Sequence, residues 1–133
     1  ISDKVQNINK YKFNRKVDAI YARFFIHTIS DNAEYQFLKW CYTSLRSNCF
    51  LLIETRIILD KEIIKYSTKA SSKYTYEFEK GHFRRLIDPD KFAKRIINLG
   101  FKIRYLNISR NFSKIKLNNK VDNPILLRMI LSK

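Results

Sequence analysis

The segment Val17-Asp18-Ala19-Ile20-Tyr21-Ala22-Arg23-Phe24-Phe25-Ile26-His27 is an almost continuous apolar run, rich in β-branched and aromatic residues. Its length and near-continuity suit a strand buried on both faces, as in a parallel sheet. A helix follows directly. Ser30 or Asp31 can cap it, Glu34 stands three residues after Asp31 as a partial capping box, and Phe37, Leu38, Cys41, Tyr42 and Leu45 recur as a core-facing stripe. Cys49-Phe50-Leu51-Leu52-Ile53-Glu54-Thr55-Arg56 reads as a second buried strand. Residues 60–80 are rich in Lys, Ser, Thr and Tyr with little periodicity, and a mobile excursion, in part helical, is expected there. Asp88-Pro89 starts the next helix, with Asp as N-cap and Pro at the first helical position. Phe92, Ile96 and Leu99 form its inner face and Lys91, Lys94 and Arg95 its outer one; Gly100 ends it where a left-handed residue is wanted. Ile103–Ser109 alternate as a strand, a polar loop over 110–123 turns at Asn118-Asn119, and Pro124–Leu131 form the last strand. Residues 1–15, mostly Asn, Lys and Gln, read as a surface helix or connector.

The order is thus strand, helix, strand, excursion, helix, strand, strand. Strands alternating with helices imply right-handed crossovers and a parallel sheet, so the class is α/β. The final pair, joined without a helix, is expected as an antiparallel hairpin at one edge. A chain of 133 residues is a single domain's worth, and 45% apolar with 29% charged residues is a globular composition. Two Gly and two Pro argue against a loop-stapled scaffold or a low-complexity repeat. No apolar run is long enough to span a membrane. A chain opening on Ile1 rather than Met is expected to be cut from something longer, or numbered from after its true start. Cys41 and Cys49 lack CxxC spacing and a nearby His, so buried free thiols are expected in preference to a disulfide or a catalytic role, in a reduced, cytoplasmic setting. His27 and His82 have no Cys or carboxylate companions at ligand spacing, so no metal site is expected.

Several stretches carry a family resemblance when taken together: Asp18 to His27 with its Arg23-Phe24-Phe25-Ile26-His27, Ile53-Glu54-Thr55-Arg56, Gly81-His82-Phe83-Arg84-Arg85-Leu86-Ile87-Asp88, Leu99-Gly100-Phe101, and Asn123-Pro124 with Arg128. They resemble the class I S-adenosylmethionine-dependent methyltransferases over roughly residues 10–133. The first looks like that family's fourth strand and following turn, and the second like the end of its fifth. The His82-x-Arg84-Arg85 element is similar to one in a subgroup associated with modification of bacterial surface polysaccharides. Leu99-Gly100-Phe101 resembles what precedes strand six, and Asn123-Pro124 the start of strand seven. The resemblance implies a Rossmann-like methyltransferase sheet, of which this chain is the C-terminal half, strands four to seven. It also implies S-adenosylmethionine as cofactor, and methyl transfer to an oxygen or nitrogen of a small or saccharide acceptor by the parent protein.

The departure is equally informative. The family binds its cofactor mainly through a glycine-rich turn after strand one and an acidic residue ending strand two. Here the only glycines are Gly81 and Gly100. The main cradle is therefore expected to be missing, with the substrate side present and the isolated half inactive. In the full fold strand four pairs with strand one, so the 17–25 strand is expected to carry an unpaired apolar edge that invites another chain. An N-terminal half-domain or a homo-oligomer across that edge is the implied partner.

Ligands of open α/β sheets bind outside the carboxyl ends of the strands. Tyr21, Arg23 and His27 gather at one such end, as candidate cofactor contacts, and Glu54 and Arg56 at the next, as candidate substrate contacts. Glu54 is the expected partner of Arg23 or Arg56, and that group is either functional or a structural ion pair. His27 has the pKa range of a general base that could deprotonate an acceptor hydroxyl, or it is a packed or capping histidine. His82 is the second candidate catalytic histidine. With Arg84 and Arg85 it either binds an anionic acceptor, such as a sugar phosphate, or is solvated charge beside a helix start. The 60–80 excursion is compatible with a lid.

Two functions of other classes compete. Lys+Arg at 27 against Asp+Glu at 12 gives a net charge of +15, and with 14% aromatic residues that suits a nucleic-acid-binding module. Against it, the basic residues are spread along the chain, and no RNP, zinc or helix-turn-helix signature is present. The missing cradle also allows a non-catalytic subunit that completes another methyltransferase-like chain.

Overall fold

The first strand stops before its apolar run does. β1 spans Val17–Arg23; at Phe24 the backbone adopts φ 50°, and Ile26–Thr28 wind into a 3-10 turn that buries Ile26 and His27. A left-handed φ on a bulky residue breaks a strand, and the rest of the run is thereby turned into the core. This computed structural model describes residues 16–59, 69–72, 74–79 and 82–133. The connector expected over 1–15 and most of the 60–80 excursion lie outside the described residues.

Helix α1 (Asp31–Ser44) is capped by Ser30, whose Oγ accepts from the Ala33 amide at 3.2 Å. With Ser30 as the cap, Glu34 falls in the second half of the first turn. It is not a capping residue but a buried one, on the same inward side as Phe37, Leu38 and Cys41. β2 (Leu45–Arg56) begins at Leu45, ahead of the apolar run expected to open it.

β6 (Lys102–Ser109) and β9 (Leu126–Ser132) complete the main sheet, whose order is β1-β2-β9-β6. β1 and β2 run parallel, and β9 is antiparallel to both β2 and β6. The expected terminal pair is therefore antiparallel, but its second strand is inserted between β2 and β6, leaving β6 as the outer strand. Insertion pairs β9 along both edges, and Leu127, Met129 and Leu131 of its helix-facing side are buried, as are Leu126 and Ser132 at its two ends.

The described parts of the excursion are strands rather than helix. β3 (Lys69–Ser72), β4 (Thr75–Glu79) and β5 (His82–Arg85) form a small antiparallel meander. Leu86 and Ile87 then return the chain to the end of β2, where the Ile58 amide donates to the Ile87 carbonyl at 2.9 Å. Helix α2 (Pro89–Asn98) starts as expected, the Asp88 carboxylate accepting from the amides of Asp90 and Lys91 at 3.0 and 3.2 Å. After it, Gly100 takes φ 98° against the ring of Tyr42. The 110–123 loop contains a two-stranded hairpin, β7 (Ile115–Leu117) and β8 (Lys120–Asp122). Asn118 and Asn119, at φ 41° and 65°, form its turn, the paired left-handed geometry that a tight hairpin requires.

Both helices share one core with the sheet. Ala22, Leu51, Ile53, Leu127, Met129 and Leu131 meet Phe37, Leu38, Cys41, Phe92 and Ile96 there. By strand alternation the opposite face carries Ala19, Tyr21 and Arg23 of β1, Phe50 and Leu52 of β2, and Ile130 of β9. Among the described residues no helix covers that face, and Tyr21 is 63% exposed. The first strand is consequently not buried on both sides, and it forms the outer strand of the described sheet. Cys41 and Cys49 are free; burial pushes the Cys41 thiol pKa upward. Among the described residues no helix is long and apolar enough to cross a membrane.

Candidate functional site

Because β1 and β2 are parallel, their carboxyl ends lie side by side, and the register sets Arg23 opposite Glu54 and Glu54 opposite Arg128. Glu54 is buried, and each carboxylate oxygen takes one arginine: Arg23 Nε donates to Oε1 at 3.2 Å and Arg128 Nε to Oε2 at 2.6 Å. Arg23 also donates to Ser113 Oγ at 3.2 Å, and the Arg128 guanidinium lies over the Phe112 ring at 3.6 Å. One carboxylate thus joins β1, β2, β9 and the loop after β6. Of the two partners expected for Glu54, Arg23 is present, whereas Arg56 pairs with Asp122 of β8. Arg128 takes the second place, through a long-range antiparallel pairing that local sequence does not encode.

The other cluster lies on the helix-covered side of β2. His27 Nδ1 is 3.1 Å from Thr55 Oγ1 and accepts the backbone N–H of Arg56 at 3.3 Å. Acceptance at Nδ1 puts the ring proton on Nε2. Burial, with the charges of Arg56, Arg84 and Arg85, holds the imidazole pKa down at about 3. In this arrangement the imidazole is held neutral, with Nε2–H left as its donor.

The residues of the His82-x-Arg84-Arg85 element separate. His82 is exposed, opposite Glu79 in the meander. Arg85 turns inward, where Nε donates to the Ile29 carbonyl at 3.1 Å and the guanidinium pairs with Glu34. Arg95 of α2 takes the other oxygen of Glu34 and also pairs with Asp31 at 2.9 Å. Its hydrogen bond holds the Asp31 carboxyl below the usual range. Glu34 therefore locks the meander and α2 onto α1. Its signal in the sequence was an acid on an apolar helical stripe, which requires a buried cation as partner. Arg84 is half-buried close to His27. Tyr21 lies on the open face of the sheet, away from His27, beside an exposed groove of about 300 Å³ lined by Leu52, Glu54, Tyr105, Arg128 and Ile130. The structure thus brings together Arg23 with Glu54, and His27 with Arg56, Arg84 and Arg85, on opposite sides of β2.

This arrangement of strands is that of the S-adenosylmethionine-dependent methyltransferase fold. A methyltransferase of that kind from Methanosarcina mazei superposes with a TM-score of 0.68 at 15% identity, over 98% of this chain and 66% of its own. One from Clostridium acetobutylicum gives 0.66 at 11%, over 96% and 62%, and one from Mesorhizobium loti 0.62 at 12%, over 96% and 67%. The chain therefore spans about two thirds of the length of these structures. No family model matches the sequence, and no curated protein matches it. At these identities the likeness is one of fold, the Rossmann-like methyltransferase sheet.

Proposed function

We propose that this chain is the C-terminal half of a class I methyltransferase domain, and that the parent protein transfers a methyl group from S-adenosylmethionine to a small or saccharide acceptor. The observation that carries this reading is the sheet order β1-β2-β9-β6, with two parallel strands followed by an inserted antiparallel one. These strands correspond to strands four, five, seven and six of the resemblance, and the neighbours in fold are themselves methyltransferases.

The described residues alone do not fit the cofactor. Gly100, the one glycine among them, sits behind α2 against Tyr42 rather than in a turn after a strand. The groove beside Tyr21 is open, and none of its described lining residues is a glycine that could let the backbone approach the cofactor. No chemical step through S-adenosylmethionine is therefore assigned to this chain. We infer that its contribution is the acceptor side, where the charge of Arg84 acts on His27 in the turn after β1. The uncovered sheet face and the outer edge of β1 are where the N-terminal half, with its glycine-rich turn, would dock. Parallel strands occur almost only in sheets covered on both faces, and β1 and β2 are the parallel pair of this one.

The test is calorimetric titration of S-adenosylmethionine and S-adenosylhomocysteine into the natural protein that carries this sequence, and into residues 1–133 alone. Saturable binding by the natural protein and none by the 133 residues is expected. No binding by either at millimolar ligand overturns the cofactor assignment, and binding by the 133 residues overturns the division into halves.

One observation favours a second reading, a nucleic-acid-binding surface. Between Asp90 and Asp122 the chain has no acidic residue, and Lys102, Arg104, Lys114, Lys116 and Lys120 of that stretch are exposed. Binding to generic single strands that falls steeply with salt would support it.

A further inference from the structure

Three guanidinium groups act on the imidazole of His27: Arg56 from the end of β2, and Arg84 and Arg85 from β5. Two of them are neutralised. Arg56 pairs with Asp122; Arg85 pairs with Glu34 and, at 3.6 Å, with Asp31. Arg84 has no such partner among the described side chains, and its guanidinium donates only to the carbonyl of Phe83, at 2.9 Å. It is nevertheless half-buried. A cation partly withdrawn from water, beside two others of its own sign, is held at a cost unless a counter-charge arrives.

His27 cannot supply that charge. Its Nδ1 lone pair is taken by the Arg56 amide, so its remaining polar atom is the Nε2–H donor. Tyr76 stands directly opposite Arg84 in the pairing of β4 with β5, which puts its phenol on the same face of the meander. Among the described residues Arg84 thus has hydrogen-bond donors beside it, His27 Nε2–H and the Tyr76 hydroxyl, but no carboxylate paired with it, at the sheet end where α/β folds bind ligands.

We propose that Arg84, assisted by His27 Nε2–H and the Tyr76 hydroxyl, binds an oxyanion of the acceptor, a phosphate ester or a carboxylate. The inference rests on the reading of this end of the sheet as the acceptor side. Arg85 is excluded from the role because Glu34 already holds it, and His82 because it stands in solvent opposite Glu79. The planar fork of Arg84 suits two parallel hydrogen bonds to such a group.

The experiment is calorimetric titration of the natural protein with glucose 6-phosphate, with glucuronate, and with glucose as the neutral control. Wild type is compared with Arg84→Gln, Arg84→Lys and, as a surface control, Lys94→Gln, on the outer face of α2. At least one anionic sugar is expected to bind and glucose not to. Arg84→Gln is expected to weaken that binding tenfold or more, Arg84→Lys to restore part of it, and Lys94→Gln to leave it unchanged. Tighter glucose 6-phosphate identifies a phosphate ester and tighter glucuronate a carboxylate. Equal binding of glucose, an unaffected Arg84→Gln, or equal loss in Lys94→Gln overturns the proposal. Because Arg84 lacks a counter-ion, Arg84→Gln should not lower the melting temperature; a fall of several degrees would mean an intramolecular partner, and would also overturn it. S-adenosylmethionine binding is measured in parallel. Its loss with oxyanion binding kept defeats the methyl-transfer reading alone, and the reverse defeats this inference alone.

Discussion

The backbone amide of Arg56 donates to Nδ1 of His27 across 3.3 Å. The polypeptide leaving β2 thereby sets the tautomer of a ring carried by the turn after β1. A side chain whose orientation is fixed by a backbone group does not depend on a neighbouring rotamer, and here only Nε2–H remains for a ligand. The left-handed Phe24 makes this possible, since a strand continued through Phe25 would carry His27 past Thr55 instead of against it.

His27 should make folding pH-dependent. Its folded pKa is about 3 and its unfolded value 6.5, so between those limits the unfolded chain binds a proton that the folded chain refuses. Stability is therefore fully present above pH 6.5 and declines as pH falls through the unfolded pKa. By pH 4.5 the loss from this group is about 2–3 kcal/mol. Urea unfolding of wild type and His27→Asn at pH 7.5 and 4.5 checks this: the variant should lose less stability on acidification. Equal losses would mean that the ring is protonated in the folded state.

Glu54 and Arg23 should respond unequally to substitution. The Glu54 carboxylate is buried between two arginines, and Glu54→Gln turns an amide nitrogen toward one of them, at a cost of about 2 kcal/mol. The Arg23 side chain is 53% exposed, so Arg23→Met should cost less than about 1 kcal/mol. Denaturant midpoints at pH 7 measure both. A larger effect at Arg23 would mean that its bond to Ser113, which holds down the loop after β6, is the stronger attachment.

What was legible in the sequence was local. Asp88-Pro89 specifies a helix start through bonds within three residues, Gly100 a left-handed stop, and Asn118-Asn119 a hairpin turn, and each is found where it was read. The α/β class followed from the order of such elements. What was not legible depends on distant pairing. Nothing near Leu126–Ser132 says that this strand slides between β2 and β6, and so Arg128 was not matched to Glu54. The meander was missed because the segment's polar composition gives no clear period. Glu34 was read as part of a capping box because it stands three residues after Asp31, although its place on an apolar stripe pointed inward; Ser30 is the cap.

Gly100→Ala should be costly for two separable reasons. The site has φ 98°, a conformation that costs a residue with a Cβ about 1–3 kcal/mol. An added Cβ would also stand 2.9 Å from Tyr42 Oη and 3.1 Å from the ring carbon that bears it. In a Tyr42→Phe background the nearest contact disappears while the backbone cost remains. Thermal melts of the two single variants and the double variant should show partial rescue. Full rescue would mean that the backbone cost is negligible, and none that contact with the hydroxyl does not matter.

Glu34 should control how firmly the meander is attached. It is 2% exposed and receives Arg85 from the end of β5 and Arg95 from α2, so a single carboxylate joins three elements distant in sequence. In Glu34→Gln, Arg95 keeps Asp31 at 2.9 Å, whereas Arg85 keeps only the Ile29 carbonyl at 3.1 Å and a weaker approach to Asp31 at 3.6 Å. The loss should therefore fall mainly on β5 and the two residues after it. There the Leu86 amide bonds the Tyr74 carbonyl at 2.7 Å, and the Ile87 amide bonds the Arg56 carbonyl at 3.3 Å. Amide hydrogen exchange should quicken at Leu86 and Ile87 by tenfold or more, equivalent to about 1.4 kcal/mol of local stability, and change little at Leu51 or Met129 in the main sheet. Because Arg84 lies on the same strand, the variant should also disturb oxyanion binding without touching the anion itself. Uniform quickening across the sheet would mean that the meander unfolds only with the whole domain, and no change would mean that the Ile57–Ile87 bridge alone holds it in place.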